Sequence, residues 1–262
     1  MIARALTIAG SDPGGGAGLQ ADLKTFTAFK VYGMSAATSV TVQNTLGVLG
    51  AAPVPPLVVA AQIDAVLSDI GTDAVKTGML ASAPIIKAVA ARLRAHGVRK
   101  LVLDPVMYAK SGHALLEPRA VGALIKDLLP LALVVTPNAP EASRLSGIEV
   151  SGARSAKEAA RAIHGLGAAC VLVKGGHLDG AICADLLFDG RNFTEFRTPR
   201  IATKNTHGTG CTLSAAIAAG LALGLGPREA VGEAVRYVGG AIKNSFALGS
   251  GHGPLNHFWR LT

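Results

Sequence analysis

The sequence predicts an α/β fold, a doubly wound and mostly parallel sheet with helices on both faces. Short aliphatic runs alternate with longer amphipathic stretches along the 262 residues, which is the pattern of consecutive βαβ units. The aliphatic runs are continuous, as in strands that are buried on both faces of a sheet. Half of the residues are hydrophobic and 16% are charged, so the chain has enough apolar side chains for a large core.

Six aliphatic runs bounded by Gly, Pro or Asp are predicted to be buried strands. They cover residues 5–9, 37–42, 74–77, 101–104, 133–136 and 169–174. Between them, apolar residues recur at three- and four-residue spacing, and several of these stretches begin with Pro or Ser. The predicted helices cover residues 18–29, 56–69, 82–96, 118–128 and 155–166. Ligands of such a sheet bind beyond the carboxyl ends of its strands.

The pattern changes in the last third of the chain. Residues 184–188 and 193–198 flank an Asp-Gly pair and predict an antiparallel hairpin at the edge of the sheet. Two further helices are predicted, over residues 211–223 and 227–246. No linker, internal repeat or low-complexity tract marks a boundary, so we expect one domain over residues 1–262.

One segment interrupts the simple alternation near the start of the chain. Residues 40–55 are strand-like and punctuated by glycine. We interpret this segment as a small lid.

Composition argues against two classes of partner and favours one compartment. The net charge of +8 attracts anions, but the basic residues are scattered and only 4% of residues are aromatic, so we expect no nucleic acid partner. No apolar run reaches the ~18 residues of a membrane span, so we expect no membrane partner. The cysteines, Cys170, Cys183 and Cys211, are too few and too far apart for a disulfide framework, which fits the cytoplasm.

The first candidate site is the run Gly-Ser-Asp-Pro-Gly-Gly-Gly-Ala-Gly over residues 10–18, between a predicted strand and a predicted helix. Its glycines would let the backbone approach a small ligand closely, although a tight turn is the simpler alternative. The run matches neither the Walker A spacing nor the dinucleotide fingerprint. Asp22, one turn into the helix, either faces the ligand or complements the helix dipole.

The second candidate is Asn-Thr-His-Gly-Thr-Gly-Cys over residues 205–211, directly before an alanine-rich helix. Backbone N–H groups of Gly208, Thr209 and Gly210 would converge at the helix N-terminus and stabilise the charge of a transferred phosphoryl group. The same dipole would lower the pKa of the Cys211 thiol below its usual ~8.5 and make it a base or nucleophile, unless it is a buried, inert cysteine. His207 either binds phosphate or caps the helix.

Further polar residues follow predicted strands. Asp104, Asn138 and Glu141 carry oxygen atoms of the kind that hold Mg²⁺ through its waters. Lys174 follows the next strand and precedes two glycines, so it would bring a cation to nucleotide phosphates. Each of these residues could instead serve as a cap or lie in a turn.

These motifs together resemble a known family. Beyond the two glycine-rich runs, the resemblance is carried by Val-Gln-Asn-Thr at 42–45, Lys-Thr-Gly-Met-Leu at 76–80, Asp-Pro-Val-Met at 104–107, Thr-Pro-Asn at 136–138, Lys-Gly-Gly-His at 174–177 and Gly-Pro-Leu-Asn-His at 253–257. In this order they resemble the bacterial hydroxymethylpyrimidine and phosphomethylpyrimidine kinases of thiamine biosynthesis, which belong to the ribokinase-like superfamily. The resemblance covers nearly the whole chain.

The resemblance implies a homodimeric kinase that uses ATP and Mg²⁺ twice. The first acceptor is 4-amino-5-hydroxymethyl-2-methylpyrimidine, and the second is its monophosphate. The resemblance gives each group of residues a role: Gln43, Gly10, Asp22, Met79 and Val106 bind the pyrimidine, Lys174, Thr206 and Asn138 bind ATP, Asp104 and Glu141 lie at Mg²⁺, and Gly208, Thr209, Gly210 and Cys211 are catalytic.

The sequence departs from related patterns at two positions and leaves further functions open. Most sugar kinases of the superfamily carry Asp where this chain has Cys211, and the family's usual loop has Ser where Gly14 stands. The nearest rival function is that of a pyridoxal or pyridoxine kinase, because such kinases share the Gly-Thr-Gly-Cys turn. A dinucleotide-dependent oxidoreductase and a nonenzymatic ligand sensor are more distant possibilities.

Overall fold

The structure is a computed structural model, and it describes residues 1–109, 112–177 and 180–261. Its strands are β1 (Arg4–Ser11), β2 (Tyr32–Asn44), β3 (Gly47–Pro53), β4 (Ala74–Thr77), β5 (Leu101–Leu103), β6 (Ala132–Val135), β7 (Cys170–Val173), β8 (Ile182–Phe188) and β9 (Phe193–Pro199). They form one sheet in the order β3-β2-β1-β4-β5-β6-β7-β8-β9. The pairs from β2 to β7 are parallel. The mostly parallel sheet is therefore confirmed.

Both edges of the sheet are antiparallel. The predicted hairpin is β8–β9, and β8 also pairs antiparallel with β7. At the opposite edge β3 pairs antiparallel with β2, which extends past the end of β1. The segment interpreted as a lid is thus the end of β2 together with β3, an edge hairpin of the same sheet.

The helices are α1 (Gly18–Ala28), α2 (Pro56–Asp69), α3 (Ala83–Ala95), α4 (Val121–Ala123), α5 (Ala139–Ser146), α6 (Ala153–Gly165), α7 (Thr209–Ala222) and α8 (Pro227–Lys243). The regular helix predicted over residues 118–128 is wrong. There α4 is a single turn between a 3₁₀ turn (Pro118–Ala120) and a π-helical turn (Leu124–Leu128). Gly122 lies in this segment and Pro130 just after it, and both residues are poor helix formers.

The helices cover both faces of the sheet. On one face α2, α3, α5 and α6 contribute Ile63, Val89, Leu145 and Ile163 to a buried cluster. On the other face α1, α7 and α8 contribute to a second cluster, which includes Phe26, Ile217 and Tyr237. None of the helices in the described part of the chain is both long enough and apolar enough to span a membrane.

The topology brings the candidate residues to one edge. Because β1, β4, β5, β6 and β7 are parallel, their carboxyl ends lie together. The glycine-rich loop follows β1, Asp104 follows β5, and Lys174 follows β7. The helix α7 begins at the same edge, since Gly208 at its N-cap packs on the loop after β1.

Candidate active site

Asp12 organises the glycine-rich loop between β1 and α1. Its carboxylate accepts hydrogen bonds from the backbone N–H groups of Gly14 at 2.8 Å, Gly16 at 3.1 Å and Ala17 at 2.8 Å. Burial alone would raise the pKa of Asp12, but hydrogen bonds from His207 and the loop amides hold it below its usual value. No role for Asp12 was predicted, although an Asp at the head of a glycine run is typical of a side chain that bonds its own loop.

The turn before α7 packs directly against this loop. Gly208, the N-cap of α7, has a φ of +81°, and a β-carbon there would overlap the carbonyl oxygen of Gly16. Only glycine fits this position, on grounds of both backbone conformation and space. The two candidate segments of the sequence therefore form one site.

The N-terminus of α7 supplies unpaired N–H groups, but they are not the predicted set, because the Thr209 amide donates to the Thr206 carbonyl at 3.4 Å. The amides of Gly210 and Cys211 have no acceptor within the described residues, while Thr209 caps the turn through its hydroxyl, which donates to the Thr206 carbonyl at 2.8 Å. Such amides, at the positive end of a helix dipole, bind anions. The arrangement fits a phosphoryl group.

Three charged side chains meet beside this helix end. Lys174 Nζ lies 3.0 Å from Asp104 Oδ1 and 3.8 Å from Glu141 Oε2. A β-carbon added at Gly210 would lie 3.4 Å from Lys174 Nζ, so the ammonium adjoins the α7 turn. Ser214, one turn into α7, donates to Asp104 Oδ2 at 3.2 Å. Cation and helix end thus face the same space.

The two carboxyl groups of this cluster differ in how burial and the neighbouring lysines shift their pKa values. Burial alone would raise the pKa of Asp104, but Lys174 and Lys76 hold it below its usual value. Burial raises the pKa of Glu141 to about 7, although Lys174 opposes the shift. Asp104 is therefore ionised at neutral pH, whereas Glu141 titrates near it.

A second lysine–aspartate pair lies deeper, and only its aspartate was predicted from the sequence. Lys76 Nζ, in β4, lies 2.7 Å from Asp22 Oδ2, and both side chains are 0% exposed. The Thr7 hydroxyl donates to the same oxygen at 2.6 Å. A lysine inside an otherwise apolar predicted strand was the available signal for this pair, because a buried lysine needs a partner.

The pKa expected for Cys211 is wrong in direction. We expected the helix N-terminus to lower it. Instead, burial raises the pKa of the Cys211 thiol to about 11, with Lys76 opposing the shift and Asp22 and Asp104 adding to it. The thiol also accepts a hydrogen bond from the Gly18 amide. It is thus the neutral thiol, rather than the thiolate, at neutral pH.

Four of the residues proposed to bind the pyrimidine lie in α1 and near the carboxyl ends of three strands, β1, β4 and β5. A β-carbon at Gly10 would lie 3.0 Å from Met79 Sδ, so these two residues are in contact. Val106 is half-buried and its amide donates to the Asp104 carbonyl at 2.9 Å, which places it beside the charged cluster. Asp22 is sealed beneath the site, and its Oδ1 has no hydrogen-bond partner among the residues described.

Gln43 is connected to the glycine-rich loop through a histidine. Its side-chain nitrogen lies 3.2 Å from His207 Nε2, and the same ring nitrogen lies 3.0 Å from Asp12 Oδ2. His207, predicted to bind phosphate or cap the helix, bridges the loop and β2. This bridge spans residues that are far apart in the sequence, so no local pattern predicts it.

Residues 12–256 match the model of the phosphomethylpyrimidine kinase family. The chain belongs to the phosphomethylpyrimidine kinase family. It is 53% identical to the hydroxymethylpyrimidine/phosphomethylpyrimidine kinase of Rhizobium meliloti, and the match covers 99% of this chain and 98% of that protein. It is 56% identical to the thiamine biosynthesis bifunctional protein ThiED of Geobacter sulfurreducens over 96% of this chain. The chain spans about half of that protein, 51% of its length.

A solved structure shares the fold. The ADP complex of Bacillus subtilis pyridoxal kinase aligns with a TM-score of 0.92 and 41% identity over 100% of both chains. The ribokinase-like fold that the sequence resemblance implied is thereby confirmed. This member of the phosphomethylpyrimidine kinase family therefore has the same architecture as a pyridoxal kinase.

Two of the residues assigned to ATP in this kinase have local contacts of their own. Asn138 caps α5, where its Oδ1 accepts from the Glu141 amide at 2.9 Å and the Glu141 carboxylate accepts from the Asn138 amide at 2.8 Å. The Thr206 carbonyl accepts a hydrogen bond from the Thr209 hydroxyl. Asn138 is thereby tied to Glu141 of the charged cluster, and Thr206 to the turn before α7.

Proposed function

We propose that the protein phosphorylates the hydroxyl of 4-amino-5-hydroxymethyl-2-methylpyrimidine with ATP and then phosphorylates the monophosphate to the diphosphate. The observation that carries this proposal is the pair of unpaired amides, Gly210 and Cys211, beside the Lys174 ammonium. Family membership and the names of the relatives support the identity of the acceptor.

The residues of the site fit phosphoryl transfer because that reaction needs positioning and charge stabilisation more than covalent chemistry. The amides of Gly210 and Cys211 would hydrogen-bond the oxygens of the phosphoryl group as it moves. Lys174 would contact the ATP phosphates and neutralise their charge. Thr206 and Asn138 would hold the nucleotide beside them.

The donor set fits Mg²⁺. Lys174 holds the carboxylates of Asp104 and Glu141 on one side of the site, and Mg²⁺ in kinases takes one or two carboxylates together with waters and substrate phosphates. Among the described residues, no group of three or more Asp, Glu, His or Cys side chains could hold a metal ion. A site built on Asp104 and Glu141 would therefore also need waters and substrate phosphates as ligands. We propose Asp104 and Glu141 as its protein ligands, directly or through water. When bound with ATP, Mg²⁺ supplies positive charge to the phosphates.

The pyrimidine would bind between β2 and the loops after β1 and β4. Gln43 would hydrogen-bond the ring edge, with Gly10, Met79 and Val106 lining the pocket. The resemblance assigns Asp22 to this pocket, but its side chain is 0% exposed and paired with Lys76, so we propose that it supports the pocket from beneath and does not contact the ring.

A pyridoxal kinase is the second candidate, and the high similarity to the Bacillus subtilis enzyme favours it specifically. Both substrates carry a hydroxymethyl group on a carbon atom of an aromatic nitrogen heterocycle. A coupled ADP-release assay with the aminopyrimidine, its monophosphate, pyridoxal and ribose separates the candidates. We expect the highest kcat/KM for the aminopyrimidine, and a higher value for pyridoxal would overturn the assignment.

We also propose that the protein is a cytoplasmic homodimer. The resemblance implies the dimer, and exposed apolar side chains on the edge hairpin support it. These are Val40, Val42, Leu46 and Leu49, which are 54–76% exposed. Free cysteines support a reducing compartment. Sedimentation equilibrium tests the dimer, and fractionation of the source cells tests the location.

A further inference from the structure

The contact between Gln43 and His207 sets two nitrogens against each other. Gln43 Nε2 lies 3.2 Å from His207 Nε2, and that ring nitrogen also lies 3.0 Å from Asp12 Oδ2. An amide NH₂ group only donates, so its neighbour must have a lone pair to accept. Whether His207 Nε2 has one depends on Asp12.

Asp12 can only accept. Its carboxylate already receives N–H groups from Gly14, Gly16 and Ala17, and these bonds, with that of His207, hold its pKa below the usual value. The proton between Asp12 and His207 is therefore on the ring. This holds for the neutral and the charged imidazole alike, so His207 Nε2 carries hydrogen in both forms.

The ring is also fixed in position. A β-carbon on Gly16 would lie 3.3 Å from His207 Nε2 and nearer still to its Cδ2, so the imidazole packs against the loop backbone. The His207 amide donates to the Gly253 carbonyl at 3.1 Å. The N–H of the ring is thus held at one place, within reach of Gln43.

These contacts decide which end of the Gln43 amide faces His207. The oxygen and the nitrogen of an amide are nearly isosteric, and the hydrogen-bond network determines their assignment. His207 Nε2 carries one hydrogen, which it already donates to Asp12, and in this form it has no free lone pair. An NH₂ group 3.2 Å away would therefore face another donor, whereas the Gln43 oxygen can share that hydrogen with Asp12, so the oxygen is the end that faces the ring. The other end of the amide has no hydrogen-bond partner among the described residues.

We propose that His207 is a positioning residue that directs the NH₂ group of Gln43 toward the substrate, so that the site selects rings presenting a hydrogen-bond acceptor there. An unprotonated ring nitrogen is such an acceptor. The inference deepens the proposed function and rests on it for the identity of the ring. The orientation of the amide itself does not depend on the substrate.

The tautomer of His207 is tested without any substrate. In ¹⁵N NMR spectra of the full chain, with His207 assigned by its loss in His207→Gln, we expect Nε2 to be the protonated nitrogen of the neutral ring. A neutral ring protonated on Nδ1 alone would overturn the proposal. Because no turnover is measured, this result stands even if the proposed kinase reaction fails.

Four variants test the consequence for binding. Calorimetry would give the Kd of the aminopyrimidine and, as a control, of a nonhydrolysable ATP analogue. We expect His207→Leu to weaken pyrimidine binding roughly tenfold or more and His207→Gln, which keeps an N–H donor, by only about threefold. Gln43→Glu still accepts from His207 but has no donor for the ring, so it should bind the pyrimidine as poorly as Gln43→Leu.

Other outcomes are informative in the opposite direction. Near-native pyrimidine affinity in Gln43→Glu would show that an oxygen faces the substrate and would overturn the proposal. Equal losses in His207→Leu and His207→Gln would also overturn it, since both losses would then be structural. Thermal unfolding of each variant confirms that the protein being titrated is folded, and a wild-type protein that binds no aminopyrimidine would refute the proposed function alone.

Discussion

Two lysines at the carboxyl edge of the sheet, one fully and one partly buried, are each paired with an aspartate, but their surroundings differ. Lys76 and Asp22 are 0% exposed. They form an ion pair with each other, and neither forms one with a side chain at the proposed ligand site. Lys174 is 13% exposed, adjoins Gly210 and divides its charge between Asp104 and Glu141. The difference indicates that the sealed pair holds the sheet edge together, whereas the open cluster can exchange a carboxylate for a phosphate.

Lys76→Met should produce the largest change in stability. It leaves the Asp22 carboxylate buried without its cation, and breaking a buried pair in this way costs about 3–5 kcal/mol. Burial alone would lower the pKa of Lys76, but Asp22 holds it above its usual value. Burial raises the pKa of Asp22, with Lys76 opposing the shift, and we take the pair as charged because Asp22 Oδ2 lies 2.7 Å from Lys76 Nζ and also accepts from the Thr7 hydroxyl. Urea unfolding measures the change. In the double variant Lys76→Met/Asp22→Asn much of the loss should return, and equal losses in both would contradict a charged pair.

Lys174→Met should have a smaller effect on stability and a large effect on catalysis. Asp104 keeps the Ser214 hydrogen bond and the attraction of Lys76, so it is not left uncompensated. Removing one group that stabilises the transferring charge costs roughly 10² to 10³ in kcat. Steady-state kinetics and urea unfolding of the same preparation make the comparison. A loss of stability as large as that of Lys76→Met, with kcat retained, would reverse the roles of the two lysines.

Glu141→Gln should remove a pH dependence from stability. The pKa of Glu141 is raised from about 4.5 in the unfolded chain to about 7, so the folded state holds this proton more tightly. The contribution of this proton to the free energy of unfolding is fully present below pH 4.5 and is lost as the pH rises through 7. Between about pH 5 and 8 the wild type should lose stability relative to Glu141→Gln, in which the cap with Asn138 can persist. Parallel stability curves in this range would contradict the raised pKa.

Cys211→Ala should have the smallest effect. With a pKa of about 11, the thiol is protonated at neutral pH and is not poised to accept a proton. The variant keeps the backbone amide and loses only the acceptor for Gly18, so we expect a loss below about tenfold in both phosphorylation steps. Single-turnover rates on the alcohol and on its monophosphate give the comparison. A loss confined to the alcohol would restore Cys211 as a base.

Most of the fold was predictable because buried parallel strands are continuous apolar runs whose ends are marked by Gly, Pro or Asp. The strand 74–77 was predicted with its observed limits, and α2 likewise. The helix α5 was not predicted, because its eight residues give little periodicity, although Pro140 in its first turn is compatible with a helix start. The strand β3 is an apolar edge strand whose partner only the topology reveals.

The sequence predicted the individual segments of the candidate site, but not the contacts between residues that are far apart in the chain. Glycine-rich segments and polar residues after strands indicated the edge of the sheet at which we propose that ligands bind, and the structure brings Gly16 against Gly208 and Lys174 against Asp104 there. The pKa of Cys211 depends on burial and on the neighbouring carboxylates, neither of which a local pattern contains. The same is true of the bridge from Asp12 through His207 to Gln43.

The helix end beside Lys174 is the central claim, and Gly210→Ala tests it most directly. The added methyl group fits the backbone, but it would lie 3.4 Å from Lys174 Nζ, in the space between the helix end and the ammonium where we propose that the phosphoryl group binds, and so would obstruct it. Single-turnover reactions with MgATP, quenched and resolved into monophosphate and diphosphate, should show both steps slowed by a similar factor of roughly 10². ATP-analogue affinity should stay close to native. Native rates in a folded Gly210→Ala protein, or slowing of one step alone, would contradict a single phosphoryl site at the start of α7.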